Sequence, residues 1–239
     1  MVMRFLSAGT THVGLKRQHN EDALLDARER ALWVVADGMG GHEAGDVAAK
    51  MVVDRLAQEL SEGSVEDRLE KASAILEEVN GDLVTMAQGG AKSGTIGTTV
   101  VGLVIDEAQF GIFWAGDSRA YRVRDGAIAQ LTRDHSLVQD LVEAGMLAFE
   151  DAEHHPDANV VTRAVGAKEM LKVATRTGDT RSGDIFVIAS DGLTKVVEKF
   201  EILDIVTSRN PMQSVDALLE MTLQRGAPDN VTIQVIRVG

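Results

Sequence analysis

Three aspartates lie beside apolar segments at points where turns are expected. Asp37 follows the run ALWVVA, Asp191 follows IFVIAS, and Asp229 lies two residues before VTIQVIRV. Short apolar runs that stop at turn residues indicate buried strands, so three chain segments could bring these carboxylates to one end of a sheet. Oxygen ligands, with no cysteine and no HExxH helix, favour hard cations such as Mg²⁺ or Mn²⁺ over zinc. The backbone of Gly38 can approach a ligand closely, and its carbonyl could complete a coordination shell.

Turn formation is an alternative explanation for these aspartates. Asp-Gly is the commonest turn dipeptide, and Asp125-Gly126 is interpreted only as a hairpin turn. From spacing alone, Asp37 and Asp191 could equally be turn residues.

The segment RQHNED places an arginine close to two carboxylates, Glu21 and Asp22. The guanidinium of Arg17 could bind phosphate oxygens through two parallel hydrogen bonds, and the carboxylates could hold water at a metal. A solvated charged loop is the alternative interpretation of the segment taken alone.

Composition excludes several classes of protein. The 239 residues include 37 Asp and Glu against 24 Lys and Arg, a net charge of -13, which opposes binding to nucleic acid. The absence of cysteine excludes disulfides, thiolate metal sites and phosphocysteine catalysis. No export signal and no apolar stretch of membrane-spanning length are visible, so we expect a cytoplasmic protein without a membrane partner. Residues 1–239 are expected to form one domain.

The hydrophobic periodicity predicts the elements that would position these residues. Helices are expected at 44–60, 64–86, 136–144 and 215–223, and an irregular surface flap at 146–165. Apolar runs at 98–105, 109–115, 120–124 and 127–131 predict an antiparallel meander. Because a parallel βαβ rhythm is missing, the pattern favours an α+β sandwich with helices outside.

Eight ordered motifs give the chain a specific resemblance over nearly its whole length. They are Arg17 with NED at 20–22, VADGMGGH at 35–42, GTTVV at 97–101, AGDSRAYRVRDG at 115–126, LTRDHS at 131–136, TRAVG at 162–166, ASDGL at 189–193 and DNVT at 229–232. With these motifs the chain resembles the type 2C metal-dependent protein phosphatases in their compact bacterial form. The resemblance implies a central β-sandwich of two antiparallel sheets, flanked by helices on both faces in four layers.

The resemblance also implies a role for each matching residue in a centre of Mn²⁺ or Mg²⁺ ions. Asp37 would bridge two ions, the Gly38 carbonyl would bind the first, and Asp191 and Asp229 would bind the second. Arg17 would hold the substrate phosphate.

Three further residues and one segment receive roles in the same way. Glu21 and Asp22 would anchor metal-bound waters, and Asp117 would join Asp191 at a weaker third ion. Residues 146–165 resemble the variable flap that borders the site.

The implied activity is hydrolysis of phosphoserine and phosphothreonine in proteins by a water that bridges two metal ions. Phosphorylated proteins are then the expected partners, among them a cognate serine/threonine kinase and its targets, and the chain is expected to be a monomer. Two alternatives remain. One is a phosphatase dedicated to an anti-sigma-antagonist, against which Arg17 and Asp117 argue. The other is a non-catalytic phosphoprotein-binding module, which retention of the metal-binding aspartates disfavours.

One departure from the family pattern concerns the proton donor. Eukaryotic members carry a histidine directly after the Asp-Gly of the second motif, whereas this chain has Met39 there and His42 three residues later. We therefore hypothesise that a metal-bound water, rather than His42, protonates the leaving serine or threonine oxygen.

Overall fold

A computed structural model describes residues 4–40, 44–89 and 96–239. The strands in these ranges are β1 (Phe5–His12), β2 (Asp22–Ala27), β3 (Leu32–Gly40), β4 (Ile96–Thr98), β5 (Val100–Ile105), β6 (Gln109–Ala115), β7 (Arg119–Arg124), β8 (Ala127–Gln130), β9 (Ala174–Asp179), β10 (Ile185–Ala189) and β11 (Val231–Val238). The helices are α1 (Ala44–Glu59), α2 (Val65–Gly89), α3 (Leu137–Glu143), α4 (Asp191–Thr194), α5 (Lys199–Ser208) and α6 (Pro211–Gln224).

The strands form two sheets, and the pairs within each sheet are antiparallel. The first sheet has the order β1-β11-β10-β7-β8, and the second has the order β2-β3-β5-β6-β9, with β4 paired to β3. Helices α1 and α2 pack against the second sheet, and α5 and α6 pack against the first. The α+β four-layer sandwich predicted from the sequence is therefore confirmed.

The middle layer of the core is built from large apolar side chains of both sheets. Trp33 and Phe110 from the second sheet pack with Phe186 from the first, and the rings of Phe110 and Phe186 lie 5.2 Å apart. Full burial of such side chains stabilises the fold by roughly 1.5–3 kcal/mol each. This interior fixes the two sheets relative to one another, and with them the ends of the strands that carry the site.

The two long helices are predicted well because their apolar residues repeat at helical spacing. Ser64 precedes α2 and accepts a hydrogen bond from the backbone N–H of Asp67 (3.2 Å), as a helix N-cap should. Arg55 of α1 donates to Glu78 and Asp82 of α2 at 2.9 and 3.2 Å, so the two helices form the expected pair.

The predicted meander is wrong, because its two hairpins lie in different sheets. Strands β5 and β6 pair in the second sheet, whereas β7 and β8 pair in the first. Gly116 has a φ of 127°, and a Cβ there would lie 2.4 Å from Cβ of Thr99. The chain therefore leaves one sheet and enters the other through the residues that carry Asp117.

The surroundings of Asp37 and Asp191 also differ from the expectation of a strand followed by a turn. Strand β3 continues through Asp37 to Gly40, because Asp37 pairs with Asp22 and the following residues pair with β4. Asp191 begins the short helix α4 rather than a turn. The predicted strand at 98–105 is interrupted at Thr99, whose N–H donates to the Asp37 carbonyl (2.8 Å).

The segment at 146–165 contains one short 3-10 helix, Phe149–His154, and is otherwise irregular. Backbone bridges from Val161 to Ser136 and from Val165 to Thr98 attach its C-terminal half to the sandwich. Within the described ranges, no helix is both long enough and apolar enough to cross a bilayer.

Candidate active site

Asp22 joins the two sheets at the end of the sandwich. It lies opposite Asp37 on neighbouring strands, and its Oδ2 accepts hydrogen bonds from Ser190 Oγ (3.0 Å) and Thr232 Oγ1 (2.7 Å). Ser190 and Thr232 belong to the first sheet region, whereas Asp22 belongs to the second sheet. The two hydroxyls were not singled out in the sequence, where a serine or threonine beside a strand end carries no distinctive signal.

Five aspartates gather here, and burial together with the charge of neighbouring carboxylates raises the pKa values of three of them. The protein desolvates Asp37 strongly, which raises its pKa well above the ordinary range, and the charges of its four neighbours raise it further. Burial, followed by the charge of Asp191, raises the pKa of Asp117 to about 6. Burial raises the pKa of Asp22 to about 7, against the lowering effect of its two hydroxyl partners, and Asp191 and Asp229 add to the rise. The predicted metal-binding aspartates are thus brought together, although from sequence they are up to 192 residues apart.

The donor set fits hard divalent cations. Its side chains are carboxylates, and Oδ1 of Asp22 is buried with no hydrogen-bond partner among the described residues, so a negative charge on this oxygen lacks compensation. Within the described residues no three acidic or histidine side chains stand in a finished coordination arrangement. Two basic side chains, Arg17 and Lys195, form ion pairs with Asp229 and Asp191 in this arrangement.

Arg17 binds Asp229 rather than facing an open phosphate position. Its Nε and Nη2 donate to Oδ1 and Oδ2 of Asp229, each at 2.8 Å, and the Arg17 side chain is 56% exposed. Phosphate binding by Arg17 and metal binding by Asp229, the roles implied by the resemblance, therefore require the Arg17 guanidinium to leave Asp229 for other partners. Solvent-exposed ion pairs contribute little free energy, so this exchange is inexpensive.

Gly38 lies where three backbone segments converge. A Cβ at Gly38 would lie 2.2 Å from the carbonyl oxygen of Gly45 and 2.4 Å from that of Glu21, and the Gly38 N–H donates to that same Glu21 oxygen (3.1 Å). Burial raises the pKa of Glu21, while a hydrogen bond from the Gly45 backbone lowers it. A residue with a side chain could not bring its backbone this close to the neighbouring acids.

Asn230 positions the loop that carries Arg17. Its Oδ1 accepts from the Glu21 N–H (2.8 Å), and its Nδ2 donates to the carbonyls of Val13 (2.9 Å) and His19 (3.0 Å). Asn230 was part of a quoted motif, but its role was missed, because its partners are more than 200 residues away in the chain.

Lys195 is a second residue that the sequence interpretation missed. Its Nζ lies 2.5 Å from Oδ2 of Asp191, 3.9 Å from Oδ2 of Asp117 and 2.7 Å from Oδ1 of Asn159 in the flap. Its position four residues after Asp191 on a helical turn is the signal that could have indicated the contact.

His135 supports the turn that carries Asp117. The Gly116 N–H donates to Nδ1 of His135 (3.1 Å), the ring stacks on Trp114, and Arg163 Nη1 lies 3.1 Å from Nε2. Burial and the neighbouring positive charge of Arg163 lower the pKa of His135 to about 4. The ring is therefore neutral at pH 7 and acts as an acceptor that holds the turn.

A cavity of about 460 Å³ lies under the flap. Asp117 and Lys195 line it beside the acidic cluster, and Phe149 and Asn159 line it from the flap. Met39 lies on β3 and offers no titratable group. His42 lies outside the described residues.

A cluster of carboxylates that suits hard cations, at the end of a helix-covered β-sandwich, fits a metal-dependent hydrolase. Comparison with known proteins specifies the class further. A sequence profile of the protein phosphatase 2C family matches residues 8–232. The chain therefore belongs to the protein phosphatase 2C family, as its motifs indicated.

Relatives agree in sequence and in structure. The serine/threonine phosphatase stp of Listeria innocua is 33% identical over 237 residues, which span 95% of this chain and 93% of the Listeria protein. The structure of PppA, described as a key regulatory component of T6SS in Pseudomonas aeruginosa, has a TM-score of 0.90 and 40% identity, covering 99% of this chain and 98% of PppA.

A third similar structure is the catalytic domain of the serine/threonine protein phosphatase PstP in complex with two manganese ions. It has a TM-score of 0.88 and 30% identity, and 99% of each chain is covered. The predicted family and activity are thus confirmed: the chain is a metal-dependent serine/threonine protein phosphatase.

Proposed function

We propose that the acidic cluster holds two divalent ions and that Arg17 presents the phosphate of a phosphoserine or phosphothreonine to them. The observation that carries the proposal is the gathering of desolvated, mutually repelling aspartates with an unpaired oxygen on Asp22. Desolvated carboxylates of one sign are costly unless cations compensate them. The PstP domain with two manganese ions supports Mn²⁺ as one such cation, and Mg²⁺ suits the same oxygen ligands.

Each residue has a part in the proposed centre. Asp37 would contact both ions, the Gly38 carbonyl would help hold the first, and Asp191 and Asp229 would hold the second. Asp117, with Asp191, would hold a weaker third ion, and the support is that one oxygen of each carboxylate lies within reach of the same cationic nitrogen, Lys195 Nζ, at 3.9 and 2.5 Å. When bound, the ions would polarise the phosphate and lower the pKa of a water molecule to near neutrality.

The remaining steps belong to side chains of the protein. Arg17 exchanges Asp229 for the equatorial phosphate oxygens, which its fork matches geometrically. Glu21 and Asp22 would accept hydrogen bonds from water at the site and hold it there. Met39 cannot donate a proton, so the proposed donor to the leaving serine or threonine oxygen is water.

The biological setting follows as part of the same proposal. A monomer whose single domain spans residues 1–239 would act in the cytoplasm, where it reverses the action of a serine/threonine kinase. The net charge of -13 argues against nucleic acid as a partner.

A paired substitution tests the centre. Hydrolysis of p-nitrophenyl phosphate and of a phosphothreonine peptide is measured with Mn²⁺, and again after a chelator. We expect chelation to abolish activity and Asp191→Asn to remove most of it, because two ion positions lose a charged ligand. Asp125→Asn makes the same chemical change in the exposed β7–β8 turn, where φ is 52° and asparagine is tolerated, so it should retain wild-type rates.

Two results would count against the proposed centre. Activity that persists after chelation would exclude a metal mechanism. Wild-type turnover in Asp191→Asn would show that Asp191 is not a ligand.

A further inference from the structure

Lys195 connects the acidic cluster to the flap through one ammonium group. Its Nζ donates to Asp191 Oδ2 (2.5 Å) and to Asn159 Oδ1 (2.7 Å), and lies 3.9 Å from Asp117 Oδ2. The two carboxylates are those assigned above to the weaker third ion. Asn159 lies in the segment 146–165, which borders the cavity under the flap.

This arrangement differs from an ordinary surface ion pair. The side chain of Asp117 is 7% exposed, that of Asp191 17% and that of Lys195 33%, so the pair is largely removed from water. Electrostatic attraction is stronger where solvent screening is reduced, whereas fully exposed pairs contribute almost nothing. Three oxygen atoms from separate parts of the chain also converge on the same nitrogen.

The backbone of Lys195 is fixed while its side chain can move. Its N–H donates to the Asp191 carbonyl (2.9 Å) at the end of α4. Four methylene groups carry the ammonium, so the group can leave the carboxylates without any change in the main chain.

We propose that Lys195 is an internal cation that competes with the third metal ion and couples that ion to the flap. The inference rests on the proposed role of Asp117 and Asp191 as ligands. A divalent ion held by these carboxylates would bind the same oxygens that Nζ contacts, and its positive charge would repel the ammonium group. The ammonium group must therefore move away. When it moves, the hydrogen bond to Asn159 breaks and the flap loses a tether. Because coupling is reciprocal, the hydrogen bond between Lys195 and the flap lowers the affinity for the ion, and binding of the ion loosens the flap.

Lys195 is thus a positioning residue, and the test reads ion binding and flap motion directly. Mn²⁺ binding to the purified chain of residues 1–239 is measured stepwise by calorimetry. Lys195→Met keeps the length of the stem and removes the charge, and Lys195→Arg keeps the charge. We expect the weakest Mn²⁺ step to tighten by about tenfold or more in Lys195→Met, equivalent to about 1.4 kcal/mol, and to stay within about threefold in Lys195→Arg.

Amide exchange measures the tether. Ala158 and Val160 flank Asn159, and their N–H groups donate to the carbonyls of His155 and Asp157 at 2.9 and 3.0 Å. We expect faster exchange of the amides of residues 157–161 in Lys195→Met, in Asn159→Ala, and in the wild-type chain when Mn²⁺ fills the weakest site. Asn159→Ala keeps the ion pair with Asp191, so its weakest Mn²⁺ step should tighten less than that of Lys195→Met.

The outcomes separate this inference from the proposed centre. Asp117→Asn should abolish the weakest step in both the wild-type and the Lys195→Met chain. Suppose that it does. The inference about Lys195 is then wrong if Lys195→Met leaves the Mn²⁺ affinity unchanged, or if amide exchange of the flap depends on neither Lys195 nor Mn²⁺. The proposed centre would still stand. If Asp117→Asn leaves all Mn²⁺ steps intact, the third site itself is wrong, and the inference falls with it. Circular dichroism and thermal unfolding establish that each variant is folded; Lys195→Gln replaces Lys195→Met if that variant is not.

Discussion

Replacement of Gly38 by alanine should damage the active centre through backbone contact alone. The added Cβ would lie 2.2 Å from Gly45 O, 2.4 Å from Glu21 O and 2.5 Å from Gly45 C. These are main-chain atoms, so no side chain can rotate away. The φ of Gly38 lies outside the left-handed region, so the cost comes from lack of space rather than from backbone strain.

The magnitude follows from the distances. Ordinary contacts of a Cβ begin at 3.4 Å, so the start of α1 at Gly45 and the backbone at Glu21 must move away from β3 by about 1 Å to admit the methyl group. Overpacking of this kind costs roughly 1–3 kcal/mol in free energy of unfolding. A displacement of about 1 Å at reacting groups can lower turnover about 100-fold. Because β3 carries both Asp37 and Gly38, we expect both effects together.

The assay combines urea unfolding of the metal-free chain with turnover of a phosphothreonine peptide at saturating Mn²⁺. Gly81→Ala is the matched control, since a Cβ there meets nothing within 4 Å inside α2. It should raise the free energy of unfolding by up to about 1 kcal/mol and leave turnover unchanged. A Gly38→Ala chain within about 0.5 kcal/mol of wild type and within about twofold in turnover would refute the steric argument.

Two further predictions concern charged groups at the site. Arg17→Ala should lower kcat/KM by roughly 10- to 100-fold, since a charge-assisted hydrogen bond to the substrate is lost. The control Arg181→Ala removes an exposed partner of Asp179 and should leave kcat/KM unchanged. Equal rates in the two variants would contradict phosphate binding by Arg17. The folded pKa of His135, about 4, lies below its ordinary 6.5, so the unfolded chain takes up a proton first, and stability present above pH 6.5 is lost as pH falls toward 4. His135→Asn keeps an acceptor for the neighbouring backbone N–H and should reduce the acid-dependent loss of unfolding free energy by up to about 3 kcal/mol, as measured by unfolding titrations at a series of pH values. An identical pH profile in the two chains would show that the imidazole does not titrate as argued.

Long periodic segments could be predicted from the sequence, and segments stabilised by distant partners could not. The apolar positions of α1 and α2 repeat over many turns, so their spacing was sufficient. Strands β1 and β9 have mixed polarity and lie at sheet edges, where pairing with β11 and β6 determines their structure. Helix α5 was missed as well, although it carries a capping box between Glu198 and Glu201.

The candidate site shows the same division. The motifs identified the acidic residues, but their roles as individual ligands remain predictions. Lys195 and Asn230 were missed because a lysine and an asparagine acquire meaning only from what the fold places beside them. The sequence separation between Asn230 and the loop it holds gives no local signal.

The ion pairs Arg17–Asp229 and Lys195–Asp191 explain how the fold tolerates the acidic cluster while its carboxylates stay available to metal ions. Strand pairing fixes Asp22 opposite Asp37, so these side chains cannot separate to relieve their repulsion. Their raised pKa values show the cost, which protonation relieves at low pH and which returns as pH rises through about 7 for Asp22. Arg17 and Lys195 offset part of the cost from the periphery of the cluster. Because the pair formed by Arg17 is exposed, it gives up little when a divalent ion replaces it, whereas the desolvated aspartates gain a full counter-charge. Divalent ions and the two basic side chains therefore compete for the same carboxylate oxygens. The net affinity for divalent ions is the difference between the free energies of these two sets of interactions.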